Sequence, residues 1–437
     1  MSTQSKVISD KLIKLLNEEI IAFDIKEQPS YQDVAKLIGD ARIVLMGEAT
    51  HGTSEFYRTR MELSKYLIRE KGFKAIAIEG DWTSVYPLHC YCKSLSKLNK
   101  AQEALKAFDR FPKWMWCNTD MLKFIEQLRQ FNDNYENKED KVGIYGLDLY
   151  CLNEATRAII NYLQQYDPEA AEMAAKRYAC FGQVQMDPQF YGYAVEKHLR
   201  KACLDEVTTQ LLETYRSAYQ NLNIDTTLDF KEQQFYMTQN ARVVKNAEYY
   251  YRTMFESQAS TWNIRDQHMA DTLQNIISHL ETLTNKPAKV IVWAHNSHIG
   301  DARATEMSEH GEINLGQLVR ERFNTNSFLL GFSTATGMVT AASGWGAKAE
   351  VKTINSPLKG SYEWFFHQLD EKNFLLNLRE ETHLTHLLKL PLLQRAIGVI
   401  YSPETERMSH YYFSRLPYQF DALIHLDHTE GVMPLDS

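Results

Sequence analysis

The stretch RIVLMGEATHGTSEFYRTR, residues 42–60, passes from an apolar segment through a glycine and a glutamate–histidine pair into a pattern carrying two arginines. Ile43, Val44 and Leu45 run together without the polar alternation of a strand that has one wet face, which reads as a strand buried on both faces. From 55 to 69 the period changes to that of a helix, with Phe56, Leu63 and Leu67 marking its apolar stripe. Similar short runs recur at KAIAIEG (74–80), VGIYGLDL (142–149), KVIVWAH (289–295) and SFLLGFS (327–333). Helical patterns separate the first three, so the fold class is α/β with βαβ units and a mostly parallel sheet.

The chain has 437 residues, long enough for two or three units. Residues 1–152 read as the first part of the α/β core and 286–333 as its second part. Between them, 153–285 has very few Gly or Pro and long helical periodicity, as in Met269, Leu273, Ile276 and Leu280, and reads as an inserted helical subdomain. From 334 onward Gly- and Ser-rich turns such as AASGWGAK interrupt the pattern.

A net charge of -8 argues against a sequence-independent nucleic-acid binder, which needs a clustered cationic excess to neutralise phosphates. No segment approaches the ~18 uninterrupted apolar residues of a membrane span, and the N-terminal residues lack the apolar core of a secretory signal. The cysteines, at 90, 92, 117, 151, 180 and 203, form no Cys-x-x-Cys pair. They read as isolated structural thiols in a cytoplasmic protein.

In open parallel sheets, ligands bind beyond the carboxyl ends of the strands. There the runs place Glu48 with His51, Glu79 with Asp81, Asp148, and His295 with His298. Arg60 falls on the apolar stripe of its helix, and Arg265 lies four before Met269 on another, so each guanidinium needs an acidic partner. A histidine beside a carboxylate is a general-base arrangement. With no G-x-S-x-G elbow present, directly activated water fits better than a serine acyl-enzyme. A divalent metal on His51, His295, His298, Glu48 and Glu79 is the competing reading, opposed by the two arginines and by the lack of an HExxH pattern. A non-catalytic small-molecule binding protein is the third.

The motifs GEATHGTSEFYRTR, AIEGDW, GLDLY, RDQHMADTL, WAHNSHIG, GQLVRERF, GSYEWFFHQL and YQFDALIHLDHT, in this order, resemble those of the erythromycin esterase family. The HGTSEFY version is closest to its chromosomal, succinoglycan-biosynthesis-labelled branch. The resemblance implies a three-layer α/β sandwich with a helical bundle and a smaller α+β part, here 334–437. It also implies cofactor-free, metal-independent hydrolysis of an ester or lactone, a macrolide in the antibiotic-resistance members. By the same resemblance His51 is the base that activates water, and Glu48, Arg60, Glu79, His295 and His298 support it. Asp148, Arg265 and Glu363 (of GSYE) are further companions. In this expectation Glu48 or Glu79 holds the imidazole, while Arg60 or Arg265 pairs with the carboxylates or meets the oxyanion. His295 and His298 position substrate or protonate the leaving alkoxide.

Overall fold

All five apolar runs form strands in the computed structural model, which describes residues 3–182, 187–221, 228–255 and 258–435. In chain order the strands are β1 (Ile21–Ala22), β2 (Ile43–Met46), β3 (Ala75–Asp81), β4 (Gly143–Asp148), β5 (Val290–Trp293), β6 (Ser327–Ser333) and β7 (Thr336–Ala342). They continue with β8 (Ala349–Ile354), β9 (Asn373–Asn377), β10 (Leu392–Arg395), β11 (Tyr411–Ser414), β12 (Ala422–Leu426) and β13 (His428–Thr429). The chain divides into two compact bodies, one of Met1–Ile76, Phe108–Leu128 and Lys289–Ser437, the other of Ala77–Ala107 and Arg129–Ala288.

In the first body the main sheet runs β1-β9-β12-β6-β2-β5. Its centre is parallel, β12 on β6, β6 on β2 and β2 on β5, while β9 and β1 add antiparallel strands at one side. Every residue of β2, β5 and β6 is buried, which is why their sequences do not alternate. Met46 lies opposite both Trp293 and Leu330, so the residues that follow β2, β5 and β6 leave the sheet at one edge. Two small sheets, β13-β7-β8 and β10-β11, occupy the C-terminal part. The AASGWGAK turn joins β7 to β8, with Ala347 N–H donating to Gly344 O at 3.1 Å.

The second body holds most of β3, then β4 and a series of helices that includes Leu228–Thr253 and Gln258–Thr284. Met269, Leu273, Ile276 and Leu280 are all buried, as their spacing predicts. Two Asp-Pro dipeptides start helices here. Asp167 and Asp187 cap them by accepting from Ala170 N–H at 3.0 Å and Gln189 N–H at 2.9 Å, and the prolines fill a first turn whose N–H has no helical partner. One expectation is corrected. Cys180 and Cys203, Cα atoms 5.7 Å apart, are joined as a disulfide rather than left as isolated thiols. Their separation of 23 residues follows no recognisable spacing. No described helix is long and apolar enough to cross a membrane.

Candidate functional site

The loop after β2 is held from three sides within the first body. Gly47 N–H donates to Leu330 O at 2.8 Å, and a Cβ at 47 would overlap the side-chain oxygen of Asn296. That amide donates to Phe332 O at 2.7 Å and accepts from Phe332 N–H at 3.3 Å, tying the turn after β5 to the end of β6. Further along, His51 N–H donates to Ile397 O at 3.2 Å, and Gly52 O accepts from Thr340 N–H at 3.1 Å and Val432 N–H at 2.9 Å. A Cβ on Gly52 would strike Thr340 O. The glycines of GEATHG therefore allow backbone to approach backbone closely enough to satisfy these buried groups.

Three side chains form a chain of contacts on this loop. Arg60, on the helix Ser54–Lys71, donates from Nη2 to Glu48 Oε2 at 2.6 Å, and Glu48 Oε1 lies 2.8 Å from His51 Nδ1. Arg60 and Glu48 are fully buried, whereas the His51 side chain keeps 9% of its surface in solvent. The guanidinium sits 4.7 Å from the Tyr57 ring centroid and 5.1 Å from that of Trp293, where cation–π attraction supplements its ion pair with Glu48. A carboxylate only accepts, so Nδ1 of His51 carries the proton and Nε2 bears the lone pair. Tyr57 OH lies within reach of the carbonyls of His51 and Met115, which share its one proton, fixing the backbone beneath the ring.

His295 follows β5 and caps the short helix Asn296–Ile299. Its Nδ1 accepts from Ser297 N–H at 3.2 Å and lies 2.8 Å from Ser297 Oγ, which places the neutral ring's proton on Nε2. The His295 and His51 rings are 4.8 Å apart between centroids. One ring thus offers a lone pair and its neighbour an N–H. His298 is buried on the same helix, its N–H bonded to His295 O at 2.9 Å. Glu363, also in the first body, stands elsewhere. It accepts from Arg395 N–H at 2.9 Å, its acidity pushed down (pKa up) by burial, and no hydrogen bond or ion pair among the described residues links it to Glu48 or His51.

The remaining predicted residues lie in the second body. Arg265 Nη2 donates to Glu79 Oε1 at 2.8 Å and Asp148 Oδ2 at 2.6 Å, and Nε reaches both Asp148 oxygens at 3.1 Å. Its charge centre is 5.2 Å from the Tyr150 ring. Burial works against the guanidinium charge, but Asp148, Tyr150 and Glu79 overcome it and hold the pKa well above its ordinary value. Burial keeps the Tyr150 phenol protonated. Asp81 occupies the N-cap position of the helix Trp82–Cys92. Of the two acids considered for orienting His51, Glu48 does so; Glu79 is engaged by Arg265. Arg60 is fully buried against Glu48.

Sequence reasoning overlooked Asn296, Ser297 and Tyr57. The first two stand between the histidines of WAHNSHIG, where polar side chains directly after an apolar strand were the available signal. Tyr57 carried none, since an aromatic at that helical position reads as core. Among the described residues no group of three or more His, Cys, Asp or Glu side chains is arranged to hold a metal ion.

The family model described as erythromycin esterase matches residues 68–429. The chain belongs to the erythromycin esterase family. The matched span begins after Glu48, His51 and Arg60. Among solved structures of this fold, one titled succinoglycan biosynthesis protein superposes with a TM-score of 0.76 at 22% identity, covering 98% of this chain and 99% of that one. A mutant of the erythromycin esterase EreC in its open conformation gives 0.67 at 15% identity, over 94% of this chain and 96% of that one. Erythromycin esterase type II of Escherichia coli is 21% identical across 76% of this chain and 80% of its own length. At these identities the structural likeness speaks to fold. The family is the one that the ordered motifs resemble, and the large, mostly parallel sheet is what the strand runs predict.

Proposed function

We propose that this erythromycin esterase family protein hydrolyses an ester or lactone of a small molecule by base-activated water, with no cofactor. The observation that carries the reading is the contact chain Arg60–Glu48–His51, in which a buried ion pair points one carboxylate oxygen at Nδ1 and leaves Nε2 as the base. Water bound at Nε2 loses a proton to it as its oxygen attacks the carbonyl carbon. The resulting imidazolium is stabilised by Glu48. His295, with its proton on Nε2, donates a hydrogen bond to the carbonyl oxygen, and the His51 imidazolium returns the proton taken from water to the departing alkoxide, so that the tetrahedral intermediate collapses to an acid and an alcohol with both rings neutral again. Ser297 sets that tautomer, and His298 supports the turn that carries it. Arg60 acts through Glu48. In the second body Glu79 and Asp148 anchor Arg265 and Asp81 stands at the start of the helix Trp82–Cys92, while in the first body Glu363 holds the Arg395 N–H.

The substrate class is esters and lactones without a commitment to macrolides, because the HGTSEFY segment resembles the chromosomal branch more than the broad macrolide-cleaving one. The test is a panel of small esters, lactones and macrolides read by mass spectrometry with wild-type protein and His51→Asn. Turnover should fall by at least about a hundredfold in the variant while the melting temperature changes little. Equal turnover by the variant would sink the base assignment. A metabolite that raises the melting temperature without being turned over would favour a binding protein.

A further inference from the structure

A hollow of about 630 Å³ in the first body is lined by no residue of the His51 loop. Asp421 directly precedes β12 and Arg379 follows β9, which runs antiparallel to β12. Asp421 is level with Leu329, to whose O its N–H donates at 2.8 Å, so the hollow lies where β12 begins beside the middle of β6, and Asp301 and Arg303, on the segment after the helix Asn296–Ile299, line one wall of it. Its lining contains five cationic side chains (Arg303, Arg320, Arg379, Lys389, Arg415) and three carboxylates (Asp301, Asp421, Glu381), an excess of two positive charges in a chain whose net charge is -8.

The distribution of those charges matters more than their number. Asp301 and Asp421 form the floor, their side chains 6% exposed. Asp301 takes Arg303 Nε at 2.9 Å and Nη2 at 2.6 Å; Asp421 takes Arg379 Nε at 2.9 Å, Arg320 Nη2 at 3.2 Å and the Leu329 N–H at 2.7 Å. The guanidiniums reach the mouth, with Arg303 52%, Arg379 38% and Arg320 24% exposed. Lys389 pairs with Glu381 at the rim, and exposed Arg415 makes no ion pair among the described residues. The buried acids thus orient arginines that still hold unused N–H groups, since each guanidinium has five. Tyr418 is 52% exposed at the same opening, with Lys389 Nζ 5.6 Å from its ring centroid, and Leu378 and Pro417 add apolar wall.

An ordinary solvated ion-pair network would interleave its charges and be worth little. Here acids lie beneath and bases above, next to an exposed ring. We propose that this hollow is a binding site for a phosphorylated small metabolite, its phosphate dianion on Arg320, Arg379 and Arg415 and its organic part against Tyr418. Guanidiniums fixed by carboxylates present the planar donor pairs that phosphate oxygens accept. The site is distinct from the hydrolytic one and its occupancy does not depend on His51.

Isothermal titration of the full chain with AMP, inorganic phosphate and adenosine tests this. AMP should bind one per chain, more tightly than phosphate, and adenosine should give no heat. Arg415→Gln and Lys389→Gln, at exposed or rim positions, should each weaken AMP by about tenfold with unchanged melting temperature. Tyr418→Ala should remove the advantage of AMP over phosphate, and His51→Asn should leave AMP binding intact. No heat from AMP or phosphate at ~10 mM, far weaker than a millimolar site, would overturn the proposal. So would AMP binding that Arg415→Gln and Lys389→Gln both leave unchanged, or that His51→Asn abolishes.

Discussion

Glu48 serves two partners that each need a bare acceptor, the Arg60 N–H and the His51 Nδ1–H. A glutamine has one acceptor and one donor end, so Glu48→Gln must oppose its amide N–H either to the guanidinium or to the imidazole. In either orientation a fully buried arginine loses its counter-charge; in the first its N–H also faces a donor, and in the second the histidine flips tautomer and its outward nitrogen is no longer basic. We expect Glu48→Gln to cost about 3–5 kcal/mol in denaturant unfolding, because breaking one side of a buried ion pair leaves an uncompensated charge. Ester turnover should fall with it by about a hundredfold or more. Arg60→Lys is the milder probe. An ammonium keeps the charge but not the planar face set between Tyr57 and Trp293, so activity should drop while stability falls less than in Glu48→Gln. If Glu48→Gln proved as stable and active as wild type, the contact chain would not be organising the site.

The two loop glycines show how the elements position this histidine. A methyl at Gly52 meets the Thr340 carbonyl, backbone that has no flexible end to swing away, while one at Gly344 in the β7–β8 turn meets nothing within 4 Å. Gly52→Ala should therefore cost about 1–3 kcal/mol or more and impair turnover, whereas Gly344→Ala should stay near zero; urea melts of the pair check this. This contrast also marks what the sequence can reveal. Strands β2 to β6 were legible because residues buried on both faces leave unbroken apolar runs, and Arg60 and Arg265 stood out because a charge on an apolar stripe demands a partner. Which acid each would take was not legible. Arg60 finds Glu48 at a separation of 12 residues and Arg265 finds Asp148 at 117, pairings that strand register decides and periodicity does not encode. Short strands such as β10 and β11, and the Cys180–Cys203 bond, depend on contacts distant in sequence and left no local pattern.

For the molecule as a whole, acid is the condition to which the fold should be most sensitive. Burial pushes His89, His268 and His425 below the ordinary imidazole range, His268 down to about 4. His268 is 2% exposed on the helix Gln258–Thr284. Its Nδ1 accepts from Asn246 Nδ2 at 2.8 Å and its Nε2 lies 3.3 Å from Thr272 Oγ1, so both nitrogens are used by the neutral ring. Asp148 and Asp271 favour its protonation and Arg242 opposes it, but burial outweighs them. Below pH 6.5 the unfolded chain takes up a proton here that the folded chain refuses until about pH 4. The unfolded state binds more protons across that window, so stability falls as pH falls. The loss from this one group should reach about 3 kcal/mol between pH 7 and pH 4. Chemical denaturation of wild type and His268→Gln at both pH values isolates it: the variant, with no ionisable ring, should lose about 3 kcal/mol less over the same interval. Identical losses in the two proteins would mean that the folded chain protonates His268 as readily as the unfolded one, and that the polar interior of this helix is open to solvent.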